Sequence, residues 1–307
     1  MLHFLSVSDY SPKDVQSLLD LAVRLKAEYI AGGNQPLLKG KVLGMIFQKP
    51  SLRTRISFDM AMRHFSGDAL YISPNEVGLG KRESIADIAR VMSGYVHALM
   101  VRVFDHNHIV ELARWSSIPV INGLSDYNHP CQAMADALTI QEAFGNLKGL
   151  NVSFVGDGNN VAVSLMHICS KLGANFTIAS PDGYDLKLKA VDVARQFAGE
   201  SGSILNFLRN PHQAVRQAHV VYTDTWTSMG QEDETHMREQ AFPPYQVNSV
   251  LVADARPDAI VMHCLPAHRG QEITDDIADG PHSRLFQQAH NRLHAQKAIL
   301  LRLFGQA

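Results

Sequence analysis

Cysteine is scarce. The 307 residues hold three, Cys131, Cys169 and Cys264, and their spacing fits neither a disulfide framework nor a zinc motif. A thiol-stapled secreted scaffold is thereby excluded, and reduced thiols in a cytoplasmic protein are the expectation. Net charge is almost absent too: 28 basic against 30 acidic side chains leave a formal −2. No excess of either sign is available to grip nucleic acid or an anionic membrane surface. No apolar run reaches the ~18 residues of a membrane-spanning helix. The opening stretch Met-Leu-His-Phe-Leu-Ser-Val-Ser-Asp has only a short apolar run and no basic leader, so no signal peptide is expected. The 15 histidines are scattered rather than clustered at metal-ligand spacing, and no metal is expected.

What is present is the material of folded α/β domains. The 46% hydrophobic and 19% charged fractions are those of a globular chain, long enough for about two domains. The central stretch is Ser51-Leu52-Arg53-Thr54-Arg55. Apolar residues 42–47 ahead of it read as a buried strand, and Ile56, Ala61, Met62 and Phe65 behind it recur at helical spacing. Pro50 and Ser51 supply a rigid turn and an N-capping hydroxyl. A strand, a tight turn and a helix N-terminus aim several backbone N–H groups at one spot. Two hydroxyls and two guanidiniums make that spot a receptor for a phosphate-like dianion. The bland alternative is an ordinary capped helix, but cations in a first turn oppose the helix dipole.

The alternation continues along the chain. A helix signal opens at residues 8–14 and is followed by the stripe Val15, Leu18, Leu19, Leu21, Ala22 and Leu25. Strands are predicted at 69–72, 98–103 and 119–122, helices at 84–93 and 109–115, and a loop at 73–82. After a long helix over 129–144, strands are expected at 151–155, 175–179, 203–205, 219–223 and 259–262. Helices are expected at 161–172, 186–197, 211–217, 232–240 and 283–303. The fold class is therefore α/β: two doubly wound parallel-sheet domains with a cleft between them, linked by long helices. Ligands of such sheets bind outside the carboxyl ends of the strands, so the cleft is the expected site.

Four further groups stand at predicted strand ends or helix starts. Arg102 closes an apolar strand, where an unanswered guanidinium would be expensive. His129-Pro-Cys-Gln132 opens the long helix with His129 and Gln132 on one face, although a histidine there could simply cap it. Asp224-Thr-Trp-Thr-Ser228-Met229-Gly230 follows a strand and offers an aspartate for an amine and a serine for a carboxylate; a polar loop is the alternative. His263-Cys264-Leu265-Pro266 follows another strand, and Cys264 could be merely buried. Gly156-Asp-Gly-Asn-Asn160 suggests a dinucleotide fingerprint, but valine stands where the third glycine belongs and Asp182 lies in a turn-like segment. That incomplete motif argues against nicotinamide binding.

Phe-Gln-Lys-Pro-Ser-Leu-Arg-Thr-Arg, His-Pro-Cys-Gln, Gly-Asp-Gly-Asn-Asn, Asp-Thr-Trp-Thr-Ser-Met-Gly and His-Cys-Leu-Pro together resemble the aspartate/ornithine carbamoyltransferase superfamily. The last two motifs are similar to its ornithine branch, and the likeness spans nearly the whole chain. The resemblance implies transfer of the carbamoyl group of carbamoyl phosphate to the δ-amine of L-ornithine, giving L-citrulline and phosphate in arginine biosynthesis or catabolism, with no cofactor. It implies a carbamoyl phosphate-binding domain of residues 1–133 plus 284–307 and an ornithine-binding domain of residues 134–283. Ser51, Leu52 (by its backbone N–H), Arg53, Thr54, Arg102, His129, Gln132 and Arg292 would hold carbamoyl phosphate. Asn160, Asp224, Ser228, Met229, Cys264 and Leu265 would hold ornithine. Arg102, His129, Asp224 and Cys264 would be catalytic.

The resemblance also implies a homotrimer with active sites at subunit borders. Two departures stand out. Leu52 replaces a hydroxyl residue of many relatives, and Gly78 replaces a glutamine or histidine donated across the subunit boundary, for which Lys81 or Arg82 could substitute. Another amine acceptor, such as putrescine, an N-acylated ornithine or aspartate, and a non-catalytic binding protein remain the alternatives at this point.

Overall fold

The apolar run Val42–Phe47 forms β1, buried over five of its six residues. Its neighbour β3 (Ala98–Arg102) is buried throughout, whereas β2 (Asp68–Ile72) is largely exposed. β4 (Val120–Leu124) completes a four-stranded, wholly parallel sheet in the order β2-β1-β3-β4. Continuous apolar strands belong in the middle of such a sheet, and the more polar β2 takes an edge. The computed structural model describes residues 3–73, 78–80, 82–228 and 230–307.

Two units each gather around one sheet. Residues 1–138 and 290–307 make the first, and residues 139–289 the second. The chain passes from one to the other within the helix Pro130–Phe144 and returns within Leu285–Leu303.

Helices of the first unit start at hydroxyl or carboxylate caps. Ser11, Ser51 and Ser84 accept from the N–H of Asp14, Thr54 and Asp87, opening Pro12–Ile30, Leu52–His64 and Ile85–Tyr95. Asp105 likewise caps His106–Trp115. Each cap contributes about 1 kcal/mol. Ile46, Val101, Ile88 and Leu112 pack between sheet and helices as part of one core.

The second unit holds β5 (Asn151–Val155), β6 (Asn175–Ala179), β7 (Leu205–Leu208), β8 (Val220–Thr223) and β9 (Ile260–His263). All pair in parallel, in the order β7-β6-β5-β8-β9. The helix Asn160–Leu172 is buried from Val161 to Lys171. Lys171 pays for its burial partly by lying 3.9 Å from the centre of the Phe197 ring.

Both sheets reverse direction of winding once. The switch lies between β1 and β3 in the first unit and between β5 and β8 in the second. Crevices outside the strand ends at these points are where open α/β sheets bind ligands.

The α/β class with two parallel sheets agrees with the sequence reading, while several boundaries move. β7 runs over Leu205–Leu208 rather than 203–205. Ser203 is instead drawn to the Ser170 carbonyl, 3.4 Å from its Oγ, and β7 is a half-exposed edge without a clear apolar pattern. The helix expected over 186–197 is Leu188–Ser201, ended by Gly202 in the left-handed conformation. The expected helix 232–240 divides into a 3-10 turn, Glu232–Glu234, and Thr235–Ala241. Short helices Ser249–Val252 and Asp275–Ala278 carried too few residues for a periodic signal. Part of the loop expected at 73–82, residues 74–77 and 81, lies outside the described residues.

His167 yields a test of this packing. Its Nε2–H donates to the Ala190 carbonyl at 2.9 Å, and burial pulls its pKa down to about 4, the Ala190 bond opposing and Lys171 assisting. Neutral in the fold and titrating near 6.5 when unfolded, it contributes full stability above pH 6.5 and loses it as pH falls toward 4. The stability difference between wild type and His167→Gln should therefore shrink by on the order of 3 kcal/mol between pH 7 and pH 4 in urea titrations. A pH-independent difference would contradict the burial.

Candidate active site

The first unit gathers its candidate residues at the β1/β3 switch. Ser51 caps the helix that follows β1, and its Oγ accepts from the Thr54 N–H at 3.3 Å. Leu52 projects its side chain into solvent and leaves its backbone N–H at the helix N-terminus. Arg53 is half-buried. Arg55 lies over Tyr71, 4.3 Å from the ring centre.

Arg102 lies where the ladder of its sheet breaks. Val101 pairs with Asn122 but Arg102 pairs with Leu124, a bulge that skips Gly123. Its guanidinium is buried at the end of an otherwise apolar strand.

His129 is fixed by the turn before its helix. Asn122 and Asn128 both donate to the Leu5 carbonyl, and the Ser125 N–H donates to the Asn128 carbonyl at 3.0 Å. Burial drives the His129 imidazole well below its ordinary pKa, and the guanidiniums of Arg292, Arg102 and Arg53 push the same way. At neutral pH it is therefore an uncharged hydrogen-bonding group. The residues that act on it electrostatically are three of the arginines expected for carbamoyl phosphate.

Arg292 comes from the last helix and is buried. Its Nη1 donates to Gln132 Oε1 at 2.8 Å and its Nη2 to Thr54 Oγ1 at 3.0 Å. Residues far apart in the chain, 54, 132 and 292, thus meet at one place.

The second unit gathers its own candidate residues at the β5/β8 switch. Asn159, after β5, caps the next helix by accepting from the N–H groups of Val161 and Ala162. Its amide donates across the switch to Asp224 Oδ2 at 2.8 Å. Asp224 Oδ1 accepts from the Thr225 N–H at 2.8 Å and from Cys264 Sγ at 3.0 Å. Three donors on two oxygens suit a carboxylate, which only accepts, and the Cys264 thiol keeps its proton toward it. Gly158 allows the loop to lie against the backbone of Asp185 and Leu186, where a Cβ would meet Leu186 N at 2.4 Å.

Leu265 adopts a left-handed φ of +58° before a cis proline. That φ costs a leucine roughly 1–2 kcal/mol and is held by its N–H, which donates to His263 Nδ1 at 2.9 Å. His263 Nε2–H then donates to the buried Glu272 carboxylate at 2.9 Å. Asp224, His263 and Cys264 offer ligand atoms within 4.8 Å of one another. With both ring nitrogens engaged, however, His263 presents no lone pair to a metal in this arrangement.

The structure thus gathers Ser51, Arg53, Thr54, Arg102, His129, Gln132 and Arg292 in one unit and Asp224 with Cys264 and Leu265 in the other. Asn160 is the first residue of its helix and half-buried. Ser228 is held in a turn by Gln231, whose N–H donates to its carbonyl at 3.0 Å. Met229 and Lys81 lie outside the described residues. Gly78 has φ +52°, and Arg82 N–H donates to its carbonyl at 2.9 Å.

Sequence reasoning missed Asn159, taking only its neighbour Asn160. It also missed the buried pair Arg238–Asp157, 2.8 Å apart, which holds the glycine loop. Asp157 sits inside the Gly-Asp-Gly motif that had been singled out, but Arg238 carried no local signal.

Two family models divide the chain between them. That of the aspartate/ornithine carbamoyltransferase carbamoyl-P binding domain matches residues 2–142. That of the Asp/Orn binding domain of the same family matches residues 148–303. The chain belongs to the aspartate/ornithine carbamoyltransferase family. Among family members, the ornithine carbamoyltransferase of Pyrococcus abyssi is 52% identical over 301 residues, covering 98% of this chain and 95% of its own. That of Bacillus subtilis is 51% identical over 296 residues, covering 96% and 92%. The solved structure of the Pyrococcus furiosus ornithine carbamoyltransferase superposes with a TM-score of 0.97 at 50% identity, covering 99% of this chain and 97% of that one.

Breaking the Arg238–Asp157 pair tests how the carbamoyltransferase glycine loop is held. Burial raises the Asp157 carboxyl pKa even beside the guanidinium. Removing that partner strands a buried acid, so Arg238→Ala should destabilise the second unit by about 3–5 kcal/mol. Urea unfolding followed by Trp226 fluorescence would measure it; a loss below about 1 kcal/mol would place the pair among weak surface-like bridges.

Proposed function

We propose that this protein transfers the carbamoyl group of carbamoyl phosphate to the δ-amine of L-ornithine, forming L-citrulline and phosphate for arginine synthesis. The observation that carries the reading is the set of Arg53, Arg102 and Arg292 acting on the neutral His129 beside a capped helix N-terminus. Positive groups crowded against a buried imidazole call for an anion of high charge, and a phosphate dianion fits. A relative from Pyrococcus furiosus, 51% identical over 301 residues, is named as an anabolic ornithine carbamoyltransferase.

Ser51, Leu52 N–H, Arg53 and Thr54 hold the phosphate. Thr54 Oγ1 already accepts from Arg292, which leaves its O–H to donate to a phosphate oxygen. Arg102 and His129 donate to the carbamoyl oxygen as it becomes an oxyanion, and Gln132 and Arg292 complete that end. Asn160, Ser228 and Met229 take the amino-acid part of ornithine. Asp224, Cys264 and the Leu265 carbonyl direct its δ-amine.

The chemistry is acyl transfer with no covalent enzyme intermediate. An alkylamine of pKa about 10.4 is mostly protonated at pH 7, and freeing its lone pair costs roughly 4–5 kcal/mol. Asp224 with Cys264 orients the amine and eases that loss. The nitrogen attacks the carbonyl carbon, the C–N bond forms, the C–O bond to phosphate breaks, and the departing phosphate takes the remaining amine proton. Each oxyanion donor contributes about 3–4 kcal/mol, and holding two reactants together contributes more. The leaving group is already activated, so the reaction requires no cofactor.

We also infer a cytoplasmic homotrimer. Leu52, Ile56 and Met60 form an exposed apolar stripe on the helix Leu52–His64, 74%, 49% and 37% accessible, which supports burial against another copy. Cys131 and Cys169 are buried and Cys264 half-buried, all as free thiols. Among the described residues no helix is long and apolar enough to cross a membrane.

Phosphate release from carbamoyl phosphate should be seen with L-ornithine, with citrulline formed alongside, and not with aspartate, putrescine or N-acetylornithine; turnover of another amine alone would overturn the acceptor assignment. Arg53→Ala should raise the KM for carbamoyl phosphate and lower kcat together, at least tenfold in kcat/KM, and both staying within twofold would refute the phosphate role. Cys264→Ser should impair the ornithine step while sparing carbamoyl phosphate binding. Ile56→Glu should dissociate the assembly in sedimentation velocity, and an unchanged trimer would remove that stripe from the interface.

A further inference from the structure

One buried acid beside the anion site has no part in the mechanism above. Asp136 is fully buried on the helix Pro130–Phe144. It lies one turn beyond Gln132 and on the same face. Its Oδ1 accepts from Gln132 Nε2 at 2.8 Å. Gln132, itself buried, accepts from Arg292 Nη1 through Oε1 at 2.8 Å, and Arg292 Nη2 reaches Thr54 Oγ1 at 3.0 Å. The four side chains make a chain of three hydrogen bonds ending on the helix that carries Ser51 and Arg53.

The donor inventory gives this chain a direction. A carboxylate only accepts and a guanidinium only donates. Between them an amide has one acceptable sense: NH₂ toward Asp136, carbonyl toward Arg292. The reverse would set two donors against each other at Arg292 and two acceptors against each other at Asp136. The sense matters at the far end as well. With Gln132 accepting, Arg292 keeps one arm on the amide and the other on Thr54, so the Thr54 hydroxyl accepts from Arg292 and its own proton points elsewhere.

We propose that Asp136 is a positioning residue: by fixing the sense of the Gln132 amide, it sets Arg292 and Thr54 for a phosphate-bearing ligand. This rests on the reading that the Ser51–Arg53–Thr54 spot holds the phosphate of carbamoyl phosphate. Asp136 works through Gln132, and that dependence is what separates positioning from a merely structural role.

The test is a double-mutant cycle read by calorimetric binding of inorganic phosphate to the full-length protein. Wild type, Asp136→Asn, Gln132→Met and the double variant are compared. Asparagine has nearly the same shape but pairs with an amide in either sense, so Gln132 is then oriented from the Arg292 end alone and held less firmly. Asp136→Asn should weaken phosphate binding by about tenfold when Gln132 is present and by less than about twofold when it is replaced by methionine. Equal losses in both backgrounds would mean that Asp136 acts structurally or by its charge alone and would overturn the proposal. So would an affinity within twofold of wild type for Asp136→Asn or for Gln132→Met. If Asp136→Asn does not fold, Asp136→Ser takes its place, a hydroxyl also being indifferent to the sense of the amide. Citrulline formation by the wild type is recorded in parallel. Its absence would defeat the proposed reaction, while the phosphate cycle would still decide the role of Asp136.

Discussion

The first unit is organised around three guanidiniums that bear on one buried imidazole. Arg53, Arg102 and Arg292 all bear on the buried His129, and cations held close in a shielded site repel one another strongly. The fold keeps them there by spending different elements on each. A helix first turn supplies Arg53, a β-bulge redirects Arg102, and the final helix returns Arg292. Burial, with these guanidiniums assisting, keeps His129 neutral and able to donate. Under the proposed function, a dianion entering this spot would be met by donors already in place, which is how preorganised charge contributes to catalysis.

The second unit solves the opposite problem, a carboxylate that must be aimed. Asp224 sits at the end of β8, and groups from three places converge on it: Asn159 after β5, Thr225 beside it, and Cys264 after β9. Behind Cys264, the left-handed Leu265 is pinned to His263, and His263 to Glu272. Such strain persists only where the surroundings over-determine it. The polar network behind the loop therefore reads as the support for the proposed amine-directing group rather than as a metal site.

In each unit the candidate residues stand where the strand order of the sheet reverses. At that point neighbouring strands send their connections to opposite faces, leaving the strand ends uncovered. Short loops after β1, β5, β8 and β9 are thereby anchored on buried strands and open to a ligand, combining rigidity with access.

The sequence by itself determined the alternation of apolar strands and capped helices, because burial periodicity and capping chemistry are local. Ser51 as a helix cap, Arg102 at a strand end and the family motifs were legible for that reason. Edge strand β7 was misplaced because a half-exposed strand lacks an apolar signature, and the short helices had too few residues to carry a period. Only the tertiary structure decided which distant groups would meet. Arg292 with Gln132 and Thr54, Asn159 with Asp224, and Arg238 with Asp157 are each joined across long stretches of chain. Those pairings follow from strand order and helix packing, which set where side chains end in space, and no local spacing along the chain encodes them.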